Sequence, residues 1–386
     1  MMMSKKALIV VNLAGFLCFL HNDFELLKSK GYEIEVAADG RMADGSEAVE
    51  LPKLRDAGIP FHQIDIDSKN PLSKANLQAY GQLRSVIREG KFDFIACHTP
   101  ISGLLTRVAA QRERRTRRTK VIYTTHGFAF CKGASWKSWM VYFPMEYVMS
   151  AFCDAIVTIN SEDRRNAERM LCRRVYQLPG VGVNIDRMRM DAGFDRDAYR
   201  ASIGVGRDDV MVLSVGELSA RKNHRVIIEA LGLLPDRQRY IYIVCGRDVS
   251  GTGLAETLGR RAAELDVRVR FLGHRSDIPE INNCADIAAI PSIREGLGLA
   301  GIEALAAGVP VIGSDVQGIR DYVIPRKTGY LCNPKSAKQF ARSISEYIDT
   351  DIDIKQTMQK QCKKKSELYS LAKAKQALYD IYREVL

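Results

Sequence analysis

One glycine-rich segment indicates the fold most clearly: residues 288–308 read AAIPSIREGLGLAGIEALAAG. Its apolar start predicts a buried strand, and its end predicts a helix that is closed by Gly308. The three glycines between them allow backbone amides to turn towards a ligand at the helix N-terminus, a position that suits an anionic phosphate. Glu295 and Glu303 flank this turn, and their carboxylates can accept hydrogen bonds from sugar hydroxyls. The segment therefore suits the binding of a sugar nucleotide.

Glu295 and Glu303 also have a simpler interpretation, as solvated acids near a helix start, where negative charge is favourable in any case. The surrounding sequence favours a binding site, because further short motifs precede and follow the pair. These are Pro291-Ser292 before it, and residues 306–312 (AAGVPVI), Gly313-Ser314-Asp315, Gly318 and Gly329-Tyr330-Leu331 after it. As a string of matched positions, this run resembles the donor-binding half of the retaining glycosyltransferases of family 4, whose signature is two glutamates separated by seven residues.

The length and composition are typical of a two-domain globular protein. At 386 residues the chain is long for a single core, and 46% hydrophobic and 27% charged residues are ordinary values. Its nine cysteines are scattered, without CxxC pairs or the spacing of metal ligands. We therefore expect small buried thiols in a reducing compartment, with neither a disulfide framework nor a zinc site.

The chain is basic, with a formal net charge of +11, and part of the excess is local. One short stretch carries Arg107, Arg112, Arg114, Arg115, Arg117, Arg118 and Lys120. This basic run is either a solvated helix end or a contact surface for anionic lipid. No aromatic residues interleave it, as the stacking of bases would require, so nucleic acid is not an expected partner.

The N-terminus mimics a secretory signal, since Lys5 and Lys6 precede an apolar run over residues 7–20. No small-residue cleavage site follows, and the run continues into a helical pattern and a second strand at residues 32–38, which is a βαβ opening. The run is also too short to span a bilayer. We expect a cytoplasmic protein without a transmembrane segment.

Short apolar runs alternate with helical patterns along the chain, which predicts two parallel sheets covered by helices. The first series of predicted strands covers residues 7–11, 33–37, 94–97, 121–124 and 155–159. The second series covers residues 211–215, 240–245, 269–272, 287–290 and 310–312. A Pro- and Gly-rich link at residues 177–184 separates the two series. Two doubly wound Rossmann-like α/β domains that face a central cleft are the GT-B fold of the resembled family.

We place an N-terminal, acceptor-binding domain at residues 1–183 and a nucleotide-sugar-binding domain at residues 184–365. By the same resemblance, a last helical stretch, residues 366–386, crosses back onto the N-terminal domain. Ligands of such sheets gather outside the carboxyl ends of the strands, so the loops that follow the strands carry the candidate site residues.

Three loops of the first domain carry candidate residues. His126 follows a predicted strand within residues 125–128 (THGF), which looks like the family's histidine motif, whose imidazole reaches the donor sugar. A lone histidine is also a common structural residue, and its place at a strand end favours the catalytic role. His98 ends another strand and is a candidate for the acceptor side or a structural residue. Gly15, after the first strand, is either a ligand-binding position or only a turn.

The second domain contains a phosphate-loop motif at residues 215–223 (VGELSARKN). The family pattern has an arginine directly after the glycine and a lysine five positions further on. Lys222 fills the lysine position, but Glu217 occupies that of the arginine, so one expected cation is missing. Arg221 is a candidate substitute, because fixed positive charges stabilise a departing diphosphate. Arg275, after a later strand, is expected to border the nucleotide base.

The resemblance implies a role for each remaining position. Glu295 would bind hydroxyls of the donor sugar and Glu303 the ribose hydroxyls, while amides near Gly298 and Leu299 would hold the diphosphate together with Lys222. No Asp-x-Asp motif lies in a suitable loop, so we expect protein cations to replace a metal ion, with no cofactor. The implied retaining mechanism is attack on the face that the diphosphate leaves, without a protein nucleophile.

Residues 128–148 are rich in aromatics and contain both tryptophans, Trp136 and Trp139. They predict either a packed helix or an amphipathic element that faces a membrane. With the motif around His126 and residues 159–163 (INSED), the chain looks most like bacterial capsule and exopolysaccharide transferases, which act on polyprenyl-diphosphate-linked sugars. Such an acceptor implies an anionic membrane surface as a partner.

These observations predict a retaining hexosyl- or N-acetylhexosaminyl-transferase that uses a nucleotide sugar, by family habit a UDP-sugar, in the synthesis of bacterial surface polysaccharide. The acceptor is lipid-linked or a saccharide, and the enzyme is expected to be peripheral at the inner face of the cell membrane. Two alternatives stay open: a GT-B nucleotide-sugar epimerase, and a non-catalytic nucleotide-sugar-binding protein in which Glu217 marks a decayed site. A phosphorylase would need a pyridoxal lysine context that the sequence lacks.

Overall fold

The structure is a computed structural model, and it describes residues 5–42, 45–67, 70–71, 73–191, 193–248 and 251–386. The chain divides into two compact units: Met1–Val181 with Ala374–Leu386, and Gly182–Lys373. The first unit thus ends at 181 rather than 183, and it resumes at 374 rather than 366. Val183 and Ser370 form an isolated β-bridge. Both residues belong to the second unit, and the bridge holds the segments around them together.

The first unit is built on a parallel sheet of seven strands. They are β1 (Lys5–Leu13), β2 (Tyr32–Asp39), β3 (Phe61–Gln63), β4 (Phe94–His98), β5 (Lys120–Thr124), β6 (Ala155–Thr158) and β7 (Val175–Gln177). The strands lie in the order β3-β2-β1-β4-β5-β6-β7. The order reverses between β1 and β4, as in a doubly wound sheet, and this reversal marks the place where ligands bind in such folds.

Helices cover both faces of the first sheet. They are α1 (His21–Ser29), α2 (Glu50–Asp56), α3 (Lys74–Gly90), α4 (Pro100–Ala109), α5 (Gln111–Thr116), α6 (Trp136–Met149) and α7 (Ser161–Ala167). In α3 the hydroxyl of Ser73 accepts a hydrogen bond from the amide of Asn76 and so caps the helix. Leu83 and Ile87, one turn apart, both enter the core.

The strands of the first sheet are apolar on both sides because each face supports a core. Along β1, Ile9 and Val11 pack into one core while Leu8 and Val10 pack into the other, since successive side chains of a strand point to opposite faces. The first of these cores also contains Leu378 from the last helix of the chain.

The second unit is built on a parallel sheet of six strands. They are β8 (Val210–Val215), β9 (Tyr240–Cys245), β10 (Arg268–Gly273), β11 (Ile287–Ile290), β12 (Val311–Ser314) and β13 (Gly329–Cys332), in the order β10-β9-β8-β11-β12-β13. The remaining helices are α8 (Arg196–Ser202), α9 (His224–Gly232), α10 (Leu254–Glu264), α11 (Ile278–Cys284), α12 (Leu299–Ala307), α13 (Ile319–Tyr322), α14 (Ala337–Ile348), α15 (Ile352–Ser366) and α16 (Leu371–Val385).

The predicted pair of doubly wound α/β domains is confirmed, since each unit has a parallel sheet with one reversal of strand order. Every predicted strand is present. The structure adds β3, β7 and β13, which the patterns missed because these strands have only three or four residues and lie at sheet edges.

Two residues of the basic run are structural rather than exposed. Arg107 is fully buried, with its guanidinium 2.8 Å from Oε2 of Glu146 and above the ring of Tyr123. Arg114 lies 3.1 Å from Oδ2 of Asp154 and also donates to backbone carbonyls of the segment that follows α6. The exposed members of the run are Arg112, Arg115, Arg117 and Arg118.

The cysteines and the helix lengths add two further observations. All nine cysteines lie in the described part of the chain and none of them forms a disulfide there; eight are buried and Cys18 is exposed. No helix within the described part of the chain has both the length and the apolarity that crossing a bilayer requires.

Candidate functional site

The loops that follow β8 and β11 carry the main candidate residues of the second unit. Lys222 lies between β8 and α9, and Glu295 lies between β11 and α12. The two strands are adjacent and parallel, and the strand order reverses between them, so their carboxyl ends bring both loops to one place.

Lys222 and Glu295 form an ion pair in which Nζ lies 2.7 Å from Oε2. The same oxygen accepts a hydrogen bond from the hydroxyl of Ser292 at 3.1 Å and from Nη1 of Arg221 at 3.2 Å. The other carboxylate oxygen, Oε1, receives no hydrogen bond from the residues described here. Glu295 therefore keeps one oxygen for the hydroxyl groups of a ligand.

This arrangement keeps Glu295 ionised although its side chain is largely buried. Burial raises the pKa of the carboxyl, but the charges of Lys222 and Arg221 and the hydrogen bonds to Oε2 outweigh burial and leave the pKa below its ordinary value of 4.5. A carboxylate held by two cations is a weak nucleophile, and it remains a strong hydrogen-bond acceptor.

Arg221 connects Glu295 with Glu217, the residue that stands at the arginine position of the family pattern. Its Nη2 atom lies 3.0 Å from Oε1 of Glu217, and the hydroxyl of Ser219 donates to that oxygen at 3.1 Å. The side chains of Arg221 and Glu217 are 40% and 38% exposed, so water screens this pair and leaves Arg221 accessible to a ligand. The sequence did not reveal that Arg221 points towards Glu295.

The N-terminus of α12 lies beside the ion pair. Gly298 caps the helix with a φ of 83°, and a Cβ atom there would lie 2.9 Å from Cγ of Glu295. A Cβ atom on Gly301 would lie 2.3 Å from the hydroxyl oxygen of Tyr322. The first amides of the helix, those of Leu299 and the residue after it, have no acceptor within the helix. With the helix dipole they favour an anion at this position.

Glu303 lies further along α12 and is half-buried. It forms no hydrogen bond or ion pair with other residues in the described part of the chain. Burial raises the pKa of its carboxyl, and the charge of Arg187 opposes this effect. Because a carboxylate that loses hydration without a partner is costly, Glu303 is suited to accept hydrogen bonds from a ligand.

Arg275, the residue expected near the nucleotide base, is held within its own loop. Its Nε atom donates to Asp277 at 2.8 Å, and its Nη2 atom donates to the other oxygen of the same carboxylate. The hydroxyl of Tyr199 also donates to Asp277. The guanidinium is thus already engaged on its Nε and Nη2 side, and a role for Arg275 at the base stays a prediction.

In the first unit, the structure brings His98 and His126 together at the carboxyl ends of β4 and β5. Nδ1 of His98 lies 3.3 Å from Nε2 of His126. Burial lowers the pKa of His126 to about 4, and burial together with the charge of His126 lowers that of His98 well below its ordinary value. The ring of Phe16 packs edge-on against His126 at a centroid distance of 4.7 Å.

The structure gives no geometric reason for glycine at position 15. Gly15 lies in a 3-10 helix, and a Cβ atom there would meet only Glu50, at 4.0 Å. A ligand-binding role for this residue therefore stays a prediction, and a simple turn explains its position equally well.

Two acidic residues that the sequence analysis left without a role hold the loop after His126. Asp163 accepts a hydrogen bond from the amide of Phe128 at 3.0 Å, and Glu162 accepts one from the amide of Lys132 at 2.5 Å. Both acids lie in the first turn of α7, and the side chain of Asn160 caps that helix. Their position in the INSED motif was the sequence signal that could have identified these two acids.

The described residues contain no group of three or more His, Cys, Asp or Glu side chains that could hold a metal ion. Lys222 and Arg221 place two positive charges near the start of α12.

Comparisons with known proteins match both units to glycosyltransferases. A profile described as "Glycosyl transferase 4-like domain" matches residues 19–178, and one described as "Glycosyl transferases group 1" matches residues 195–367. The putative glycosyltransferase EpsD of Bacillus subtilis (strain 168) is 33% identical over 362 residues, which cover 93% of this chain and 91% of that protein. A UDP-Gal:alpha-D-GlcNAc-diphosphoundecaprenol alpha-1,3-galactosyltransferase of Escherichia coli is 23% identical over 94% of this chain and 92% of that protein.

Solved structures with the same fold include two proteins of low sequence identity to this chain. Anabaena HepE in complex with UDP and glucose superposes with a TM-score of 0.76 at 18% identity, over 98% of this chain and all of that chain. The sucrose-phosphate synthase of Thermosynechococcus elongatus superposes with a TM-score of 0.77 at 17% identity, over 98% of this chain and 99% of that chain.

Proposed function

Because this chain belongs to the GT-B glycosyltransferases, with a 4-like first domain and a group 1 second domain, we propose that it transfers a sugar from a UDP-sugar to a lipid-linked or saccharide acceptor with retention of anomeric configuration. The observation that carries the proposal is the Lys222–Glu295 ion pair beside the N-terminus of α12. It joins a cation, helix amides and a carboxylate with a free oxygen, which are the groups that a diphosphate and a sugar require.

In this proposal each part of the donor meets a different group. The diphosphate lies against the first amides of α12 and Lys222, with Arg221 as the second cation. The free oxygen of Glu295 accepts hydrogen bonds from hydroxyls of the donor sugar. The carboxylate of Glu303 accepts hydrogen bonds from the ribose hydroxyls. As the sugar–phosphate bond breaks, negative charge grows on the diphosphate, and the fixed cations stabilise it more strongly than they stabilise the intact donor.

In this proposal retention comes from the direction of attack, and Glu295 does not act as a nucleophile. Its ion pairs with Lys222 and Arg221 lower the nucleophilicity of its carboxylate. The acceptor hydroxyl instead attacks from the side that the diphosphate leaves, and the departing diphosphate takes its proton. The donor's configuration at the anomeric carbon is then kept in the product.

The test is transfer from a panel of UDP-sugars to a synthetic lipid-linked acceptor in the presence of EDTA. We expect one UDP-sugar to be consumed, with the same anomeric configuration in donor and product by NMR. Activity is expected to survive EDTA because Lys222 and Arg221 supply the charge at the diphosphate.

Three outcomes would contradict parts of this account. Loss of activity on chelation that Mg²⁺ or Mn²⁺ restores would show that a metal carries the charge. Inversion of the anomeric centre would contradict attack from the side that the diphosphate leaves. Tight UDP binding with no turnover of any donor would favour a non-catalytic binding protein, and release of an epimerised sugar would favour an epimerase.

The acceptor that we propose, a polyprenyl-diphosphate-linked sugar, implies contact with an anionic membrane. The similarity to the diphosphoundecaprenol galactosyltransferase supports this choice. So does helix α6, which has two different faces. Trp139 and Phe143 pack against the second core of the first unit. Trp136 and Met140, one turn apart, are both 64% exposed.

The exposed face of α6 continues along the helix with Val141, Tyr147 and Val148. Arg114 of the basic run donates hydrogen bonds to backbone carbonyls of the segment that follows α6. The exposed arginines of the run therefore lie near the end of this helix. An apolar helix face beside positive charge matches the interface of an anionic bilayer, in which the helix would lie flat.

We expect the protein to sediment with anionic vesicles at low salt, and to do so less at high salt, because each basic residue near such a surface contributes about 1 kcal/mol that salt screens. Replacing Arg112, Arg115, Arg117 and Arg118 with Gln should weaken this binding and leave UDP affinity unchanged. In a Trp139→Phe variant, Trp136 is the only tryptophan, and its emission should shift to shorter wavelength on anionic vesicles. An unchanged emission, or equal binding to neutral and anionic vesicles, would contradict the membrane proposal.

A further inference from the structure

The contact between His98 and His126 determines where the catalytic candidate His126 carries its proton. Both rings are neutral at pH 7, because burial lowers both pKa values. A neutral imidazole has one N–H donor and one acceptor nitrogen. The 3.3 Å contact joins Nδ1 of His98 and Nε2 of His126, so one of these two atoms must donate to the other. The direction of this bond fixes the tautomer of both rings.

The backbone holds His98 firmly in this position. Thr99, the next residue, has a φ of 68°, which is a strained conformation for a β-branched residue. The hydroxyl of Ser102 donates to the carbonyl of His98, and the amide of Ser102 donates to Oδ1 of Asn12 at 2.7 Å. Such strain persists only where the surroundings enforce it. The strained backbone at Thr99 and the hydrogen bonds of Ser102 therefore fix the position of His98, which contacts His126.

His98 also borders a small cavity that has both polar and apolar lining residues. Nε2 of His98 is buried and has no hydrogen-bond partner among the residues that the structure describes. The cavity has a volume of about 20 Å³ and is lined by both histidines, Asp23 and Thr124, among others. Asp23 accepts a hydrogen bond at 2.5 Å from the hydroxyl of Tyr382 on α16, which holds the carboxyl in place.

We propose that His98 is a positioning residue for the transfer reaction: its Nδ1 atom accepts a hydrogen bond from the Nε2–H group of His126. This bond leaves Nδ1 of His126 as a hydrogen-bond acceptor for a sugar hydroxyl. This inference rests on the proposed function, and on the role that the family resemblance implies for His126, whose imidazole would reach the donor sugar. In this proposal His98 acts on the reaction through its hydrogen bond with His126, and not by contact with the acceptor.

The carboxylate of Asp23 gives this bond its direction. Burial raises the pKa of Asp23 to about 6, so the group is ionised at pH 7. A negative charge on the same cavity favours the tautomer of His98 that carries its proton on Nε2. The cavity is large enough for one water molecule, which would accept from Nε2 of His98 and donate to Asp23. His98 is then an acceptor at Nδ1, and Nε2 of His126 must be the donor.

The direct test is the ring ¹⁵N chemical shifts of the full-length protein labelled at its six histidines. At pH 7 we expect His126 and His98 each to carry a single proton on Nε2, with the signals assigned from His98→Asn and His126→Gln variants. His126 protonated on Nδ1, or averaging between both tautomers, would overturn the proposal. This measurement needs no turnover, so it remains decisive even if no UDP-sugar is transferred.

Kinetics of paired variants separate positioning from a purely structural role. His98→Asn places an amide oxygen near the site of Nδ1 and should retain most of kcat. His98→Phe fills similar space without an acceptor, and it should lower kcat about tenfold, the order of one lost hydrogen bond, with KM for the donor nearly unchanged. Equal losses in both variants, or full kcat in His98→Phe, would overturn the proposal.

Discussion

Lys222→Ala is expected to lower kcat by about 100- to 1,000-fold, because it removes a fixed charge at the site where the departing diphosphate becomes more negative. Lys222 lies 2.7 Å from Glu295 beside the start of α12, so its ammonium is already held in place before the donor binds. The effect should fall mainly on kcat, since an interaction that strengthens in the transition state contributes more to rate than to binding.

Steady-state kinetics with the best UDP-sugar measure this loss, and Lys327→Ala is the matched control. Lys327 is an exposed lysine of the same unit, outside the candidate site, and its replacement should leave kcat unchanged. Lys222→Arg keeps the charge and should retain more activity than Lys222→Ala. If Lys222→Ala changed only KM, or neither constant, the charge at the diphosphate would have to come from another group.

Glu303→Ala is expected to weaken the binding of UDP about 10- to 100-fold. Glu303 is half-buried and has no partner within the described chain, so the ribose hydroxyls would supply its missing hydrogen bonds. Hydrogen bonds to a charged group contribute roughly 1.5–3 kcal/mol, and about 1.4 kcal/mol is a factor of ten in affinity.

Calorimetric titration with UDP, which contains the ribose but no donor sugar, isolates this contact. Glu256→Ala removes an exposed carboxylate from α10 of the same unit and serves as the control, with an expected affinity equal to that of the unmodified protein. Glu303→Gln keeps an acceptor oxygen and should bind with intermediate affinity. Full affinity of Glu303→Ala would exclude Glu303 from the nucleotide site.

The fold was largely predictable from the sequence because both sheets are buried on both faces. Strand β9 is therefore apolar throughout and β1 contains the apolar run of residues 7–11, and both differ clearly from the helical patterns between them. The short edge strands β3 and β7 are only partly buried, and so their sequences carry no such signal.

The candidate site was predictable only as far as strand ends determine it. Lys222 and Glu295 both follow adjacent strands, so their proximity followed from the topology. The direction of Arg221 depends on Glu217 and Glu295 together, and it needed the structure. The pair of His98 and His126 was also hidden, because each residue was interpreted as a separate strand end.

Helix α6 shows why the two interpretations of the aromatic segment were both incomplete. Trp139 is partly buried, and its indole N–H donates to the carbonyl of Cys131, whereas Trp136 is mostly exposed. Apolar residues lie on all sides of the helix, so its sequence carries no periodicity that separates the packed face from the exposed one.

A crystal structure of the protein with UDP tests the central claim most directly, namely that the nucleotide binds at the start of α12 between Lys222 and Glu303. We predict that the diphosphate oxygens accept hydrogen bonds from the amide of Leu299 and from Nζ of Lys222, and that the ribose hydroxyls donate to Glu303. UDP bound at another place, or a diphosphate without contact to Lys222 and α12, would contradict the account.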